Sequence, residues 1–135
     1  MKLQLALDIF NLDEALGLAE KLKEYIDIIE IGTPFVLEYG MEAVRQFCAK
    51  FPDKKILADT KIMDAGELES AAAFKAGADY VTVLAVTDIA TIKACAVRSD
   101  WCSWNRSTLL IVGGGITNAA DPVQEAKLIY EKISL

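Results

Sequence analysis

Four short strand-like runs, Leu3 to Leu7, Asp27 to Ile31, Lys55 to Asp59 and Tyr80 to Ala85, alternate with stretches of helical periodicity, and few residues are left over for loops. After the first run, Asn11 starts a helix, with Glu14 three residues on completing a capping box. Leu12, Ala15, Leu16, Ala19 and Leu22 then fall on one face. Met41, Val44, Phe47 and Cys48 make the stripe of a second helix ending near Pro52. Ala65 to Ala76 is a third, closed by Gly77, and Asp88 to Ala96 a fourth. Gly32-Thr33-Pro34 reads as the turn that ends the second strand, and Leu3 to Leu7 as a strand buried on both faces.

Repeated β-α units of this kind build parallel sheets, either open and doubly wound or closed into barrels. Residues up to Ala96 therefore read as (β/α)4. Val97 to Thr108 (VRSDWCSWNRST) has neither periodicity and holds both tryptophans. Beyond it, Leu109 to Val112 reads as a strand running into Gly113-Gly114-Gly115, and Asp121-Pro122 opens a last amphipathic helix through Ile133. The whole, residues 1–135, is expected to be one α/β domain.

The net charge of −6 argues against polyanionic partners, whether nucleic acid or anionic membrane. It leaves room for a phosphate held by backbone amides. Cys48, Cys95 and Cys102 are too few and too irregularly spaced for a disulfide framework or a zinc site. MKLQLALD carries an acid where the apolar core of a secretory leader would continue, and no apolar stretch approaches the ~18 residues of a membrane span. A cytoplasmic location with reduced thiols is the expectation.

Ligands of parallel α/β sheets bind beyond the carboxyl ends of the strands. The first strand ends in Asp8, the second carries Glu30 just before Gly32, and the third ends in Asp59. Three acids on one rim repel one another unless a cation joins them, and Glu30 and Asp59 are hard oxygen ligands of the kind Mg2+ prefers. Taken singly, each acid reads equally well as a helix cap or the partner of a lysine. Asp59-Thr60-Lys61-Ile62-Met63-Asp64 sharpens the pattern. Residues two apart on a strand share a side, so Asp59 and Lys61 should face one pocket, with Asp64 on the following loop. An ammonium set among carboxylates can sit beside a developing enolate and stabilise it.

LQLALD, DIIEIGTP, ILADTKIMDAG and YVTVLAV followed by TIK resemble the orotidine-monophosphate-decarboxylase superfamily, and within it the 3-hexulose-6-phosphate synthase branch. LLIVGGGITNAADP is similar to the eighth strand and phosphate loop of the same enzymes. The resemblance implies a dimeric (β/α)8 barrel of the TIM type that uses Mg2+ to stabilise an enediolate of a sugar phosphate. It implies Mg2+ at Glu30 and Asp59, substrate and enediolate contacts from Asp8 and Lys61, and an Asp64 that reaches into the partner subunit's site. Gly113 and Gly114 would offer N–H groups to the phosphate. The implied reaction is an aldol condensation of formaldehyde with ribulose 5-phosphate. A sister activity, 3-keto-L-gulonate-6-phosphate decarboxylation, makes a similar enediolate. Those decarboxylases tend to carry arginine where this chain has Gly114, which favours the synthase.

The chain departs from that pattern. A closed barrel takes ~200 residues or more, and this chain has 135. Residues 1–96 match the first four β/α units and 109–135 the eighth, with 97–108 as an atypical join. The expected architecture is thus a partial TIM-type barrel of about five parallel strands, the first four plus one like the eighth, with flanking helices. The last strand could lie beside the first or beside the fourth. Either way two sheet edges stay open, and a homodimer is the expected remedy. The chain contains no histidine, so proton abstraction would fall to Asp8, Lys61 or a partner's Asp64. Three readings stand: an active lyase, a truncated and inactive member of the family, and a generic phosphate-binding α/β domain.

Overall fold

The computed structural model describes residues 2–8 and 11–97, with Ala120, Asp121 and Gln124. In chain order these form β1 (Gln4–Leu7), α1 (Leu12–Leu22), β2 (Ile28–Ile31), α2 (Thr33–Tyr39), α3 (Met41–Lys50), β3 (Lys55–Ile62), α4 (Gly66–Ala76), β4 (Tyr80–Val83) and α5 (Ile89–Val97). All strand pairs are parallel, in the order β1-β2-β3-β4. The expected join over 97–108, the strand from Leu109 and the glycines Gly113 and Gly114 lie outside the described residues. At the expected last helix, Gln124 N–H donates to the Asp121 carboxylate at 3.0 Å, the bond of a helix N-cap.

Register decides which face meets the helices. Leu7, Ile31, Ala58 and Val81 share one face, and Ile29 and Ile56 lie on it two residues earlier. All are buried in the same core as Ala15 and Ala19 of α1, Phe35 of α2, Phe47 of α3, Phe74 of α4 and Ile92 of α5. Ala6, Glu30, Leu57 and Tyr80 share the opposite face. A doubly wound sheet reverses its strand order at a switch point, whereas sequential order with helices along one face is a barrel wall. The fold is a partial TIM-type barrel, and the face carrying Glu30 corresponds to its interior.

The expectation that the first strand is buried on both faces is corrected. Leu3, Gln4 and Ala6 are not buried, and only Leu7 is fully enclosed. Among the described residues β1 pairs with β2 alone, so one edge and one face lack a neighbour. The second correction is α2. Thr33-Pro34 starts a helix rather than ending a turn: proline is preorganised for the first helical turn, and Gly40, at φ 59°, closes the helix after Tyr39. Elsewhere the expected helix boundaries hold, although among the described residues only the Asn11 half of the capping box forms. Asn11 accepts from the N–H groups of Asp13 (2.9 Å) and Glu14 (3.2 Å) at the start of α1. Gly77, at φ 110°, ends α4 in the left-handed conformation and leaves room for the Cys48 thiol, which an added Cβ would meet at 2.7 Å.

The amino ends of the strands are pinned by a repeated device. Asp27, just before β2, donates its N–H to the Leu3 carbonyl (2.9 Å), and its carboxylate accepts the Leu3 N–H (2.7 Å). Asp79, just before β4, makes the same exchange with Ile56, at 2.7 and 2.9 Å, and also pairs with Lys55 at 2.9 Å. Each acid extends the ladder one step below the strand and fixes the register there. Removing it leaves a partly buried N–H without its acceptor. Asp79→Ala should therefore destabilise the fold by about 1–3 kcal/mol. The check is a lower urea midpoint with an unchanged slope; an unmoved midpoint would dismiss the clamp.

Candidate active site at the carboxyl ends of the strands

The register sets the three rim acids at two heights. Glu30 is level with Ala6 and Leu57. Asp8 and Asp59 lie two residues further along their strands, level with Gly32, which bonds to the Leu7 carbonyl at 2.9 Å. Asp8 and Asp59 thus flank a residue without a side chain, and the Asp8 carboxylate uses that space. A Cβ built on Gly32 would lie 1.9 Å from Asp8 Oδ1 and 2.7 Å from the Leu7 carbonyl oxygen. Gly32 lets Asp8 lean over β2 toward Asp59. Glu30 is half-buried and accepts a hydrogen bond from the Gln4 amide.

Asp59 is the centre of the site. Beyond Ala58 the third strand leaves regular pairing: Ala58 opposes Val81 and Ile62 opposes Val83, so four steps on β3 match two on β4. Ala58 and Ile62 both stay buried on the helix side, and Asp59, Thr60 and Lys61 form the bulge between them. Lys61 takes a positive φ of 49°, the one described residue other than glycine to do so. That conformation costs about 1–2 kcal/mol. Asp59 and Lys61 do meet, as the sequence predicts, though through this bulge and not as neighbours on a flat strand.

Among the described residues, Thr82, Lys61 and Thr33 donate to Asp59. Thr82 Oγ1 donates to Oδ1 at 2.6 Å. The Lys61 ammonium pairs with Oδ2. Thr33 Oγ1 lies 2.7 Å from Oδ2 and 2.8 Å from the Asp59 carbonyl, and its single proton serves one of them at a time. Thr33 Oγ1 also accepts from the Lys61 ammonium at 2.6 Å. Burial pushes the Asp59 carboxyl up, but the bonds from Lys61, Thr82 and Thr33 outweigh it and hold the group below the ordinary aspartate value. The cation that the crowded rim requires is, for Asp59, the chain's own Lys61.

Asp64 is not part of this cluster. It is exposed on the loop before α4 and lines an open cleft of about 460 Å³ with Glu67, Asp88 and Thr91. Its carbonyl accepts from Thr91 Oγ1 at 3.4 Å. Cys95 is no nucleophile, since burial pushes its thiol up to about 11. Among the described residues no group of three acids or cysteines is placed to hold a metal alone. Glu30 and Asp59, on one face of adjacent strands, fit the other arrangement open to Mg2+, one or two carboxylates with water and substrate oxygens completing the shell.

Two residues of the site, Thr33 and Thr82, escape sequence reasoning. Thr82 looks like any β-branched strand residue. Thr33 could have been found, because Pro34 and Gly40 bracket a short helix whose first residue is Thr33.

A sequential parallel wall with carboxylates and a lysine gathered at its carboxyl ends defines a segment of a (β/α) barrel that binds its ligand at that rim. The chain belongs to the orotidine 5'-phosphate decarboxylase / HUMPS family, which matches residues 1–102. It is 54% identical over 93 residues to the 3-hexulose-6-phosphate synthase of Bacillus subtilis (strain 168), a match covering 69% of this chain and 44% of that protein. The chain thus spans less than half of that relative. The crystal structure of 3-keto-L-gulonate-6-phosphate decarboxylase from Vibrio cholerae O1 biovar El Tor superposes with a TM-score of 0.83 at 34% identity, covering 97% of this chain and 58% of that one. A ligand-bound crystal structure of KGPDC from Streptococcus mutans superposes with a TM-score of 0.81 at 32% identity, covering 95% and 61%.

The site generates two expectations. Gly32→Ala must push the Asp8 carboxylate aside and move the end of β1, because the Leu7 carbonyl is backbone and cannot rotate away. A loss of about 1–3 kcal/mol should result, with amide shifts centred on residues 7 and 8; a spectrum unchanged there would contradict the packing. The second concerns pH. Folding lowers the Asp59 pKa, so its contribution is fully present above about pH 4 and is lost as pH falls through the folded value. Stability measured down the acid limb should fall more steeply in the native chain than in Asp59→Asn, and parallel curves would refute the coupling.

Proposed function

We propose that this chain carries the Mg2+-dependent half-site of an aldehyde-lyase of the 3-hexulose-6-phosphate synthase type, joining formaldehyde to ribulose 5-phosphate through an enediolate. The observation that carries the reading is the Lys61 ammonium fixed between the Asp59 carboxylate and the Thr33 hydroxyl at the carboxyl end of β3. The 54% identity to a 3-hexulose-6-phosphate synthase supports it.

Glu30 and Asp59 would hold Mg2+, which when bound supplies fixed positive charge facing the sugar oxygens. Asp8, leaning over Gly32, faces the same space and contacts substrate oxygens. Lys61 brings a positive charge that is already oriented, so negative charge building on a substrate oxygen is met without rearrangement. A base drawn from Asp8 or the partner subunit's Asp64 takes a proton from C1 of ribulose 5-phosphate, since the Lys61 ammonium has no lone pair to receive it. The resulting enediolate carbon bonds to the carbon of formaldehyde, whose oxygen takes up a proton. Gly113 and Gly114 would offer N–H groups to the phosphate. A homodimer would bring Asp64 to the neighbouring site and cover the sheet edges left unpaired among the described residues. Working on soluble metabolites, such an enzyme belongs in the cytoplasm; no described helix is long and apolar enough to cross a membrane.

A second reading rests on the two superposed decarboxylase structures. There the same lysine and acids would stabilise an enediolate formed by loss of CO2. A third follows from length: a chain spanning 44% of its relative would keep the rim acids without turnover.

The test is turnover of ribulose 5-phosphate with formaldehyde by the purified chain, with Mg2+ and with EDTA, alongside 3-keto-L-gulonate 6-phosphate. Condensation that EDTA abolishes is expected. Silence beside a working full-length relative would overturn the reading, and decarboxylation alone would select the second. Lys61→Ala should lower turnover by about 100-fold or more while leaving the Mg2+-induced rise in Tm intact. Asp59→Asn should remove that rise.

A further inference from the structure

We infer that Thr82 is a positioning residue, whose hydroxyl holds Lys61 in its left-handed backbone conformation and so sets the ammonium on the Asp59 carboxylate. The inference rests on the proposed reading of Asp59 and Lys61 as the face that meets substrate, and adds a residue from the neighbouring strand.

The bulge creates the need. Between Ala58 and Ile62 the third strand has two residues more than β4 can pair, so the ladder there fixes neither the path of the chain nor the N–H of Lys61. All three bulge residues are bonded to Thr82. Its hydroxyl proton goes to Asp59 Oδ1 (2.6 Å), its hydroxyl oxygen accepts the Lys61 N–H (2.9 Å), and its carbonyl accepts from Thr60 Oγ1 (3.1 Å). One hydroxyl therefore ties the backbone of the lysine to the carboxylate that receives its ammonium, and the orientation of each depends on the other. Thr82 is buried, so water does not readily take its place. The carbonyl bond survives any substitution, while the two hydroxyl bonds need an O–H.

That difference separates a positioning residue from a β-branched residue that merely suits a strand. Valine keeps the shape and branching of threonine and loses the hydroxyl; serine keeps the hydroxyl and loses the branching. Amide hydrogen exchange and the Lys61 HN–Hα coupling are to be measured by NMR in the native chain, Thr82→Val and Thr82→Ser. The valine variant should exchange the Lys61 amide about tenfold faster. Its coupling should shift toward that of an extended residue, with protection of residues 28–31 unchanged. Serine should restore both signals. A Lys61 amide as protected in Thr82→Val as in the native chain would overturn the inference, as would a serine variant that behaves like the valine one. Should the valine chain not fold, Thr82→Ala carries the same comparison. No substrate enters the measurement, so its outcome is separate from the turnover assay that decides the reaction.

Discussion

Asp59 is 7% exposed, at the start of the bulge in a strand whose other side is core. An ionised carboxylate at that depth needs donors for both oxygens, and the surrounding structure is arranged to supply them. Lys61 arrives through a bulge, Thr33 because a helix starts directly after β2, and Thr82 from β4. These are also the features in which the chain departs from a regular β-α repeat. The irregular backbone, the short extra helix and the buried carboxylate are one arrangement seen from three sides.

The two ends of the sheet use aspartate in opposite ways. At the amino ends, Asp27 and Asp79 are spent on backbone N–H groups and lock the register. At the carboxyl ends, Asp8 and Glu30 remain beside the central cluster, on the rim and interior face of the wall. Strand order ties the two together: a fixed register below places Asp8, Gly32 and Asp59 level above, and the missing side chain of Gly32 brings the outer acid inward. A rim built this way holds its charges on rigid strands, the placement that electrostatic catalysis requires.

Much of this was legible in the sequence. Spacing gave the four strands and four of the five described helices, and Asn11 and Gly77 marked boundaries that the structure keeps. The pairing of Asp59 with Lys61 followed from their separation, although the route was wrong: a bulge without a glycine leaves no mark in the sequence, and a lysine at positive φ runs against the usual preference. Thr33-Pro34 was ambiguous because the same dipeptide serves a turn and a helix start. Thr82 was invisible because threonine in a strand needs no further reason. The acid–lysine–acid spacing does not close into one cluster at Asp64, where Gly66 and the α4–α5 contact carry the loop toward a different cleft.

On the proposed function, the ends of β2 and β3, with Asp59 between Lys61 and the two threonines, would form the face on which Mg2+ and substrate meet. The most direct measurement replaces Mg2+ with Mn2+, which takes similar oxygen ligands, and follows paramagnetic broadening of the amide signals. Broadening centred on residues 29–31 and 58–61, and reversed by excess Mg2+, is the predicted result. Broadening centred on Asp64, Glu67 and Asp88, or none at all, would contradict the account.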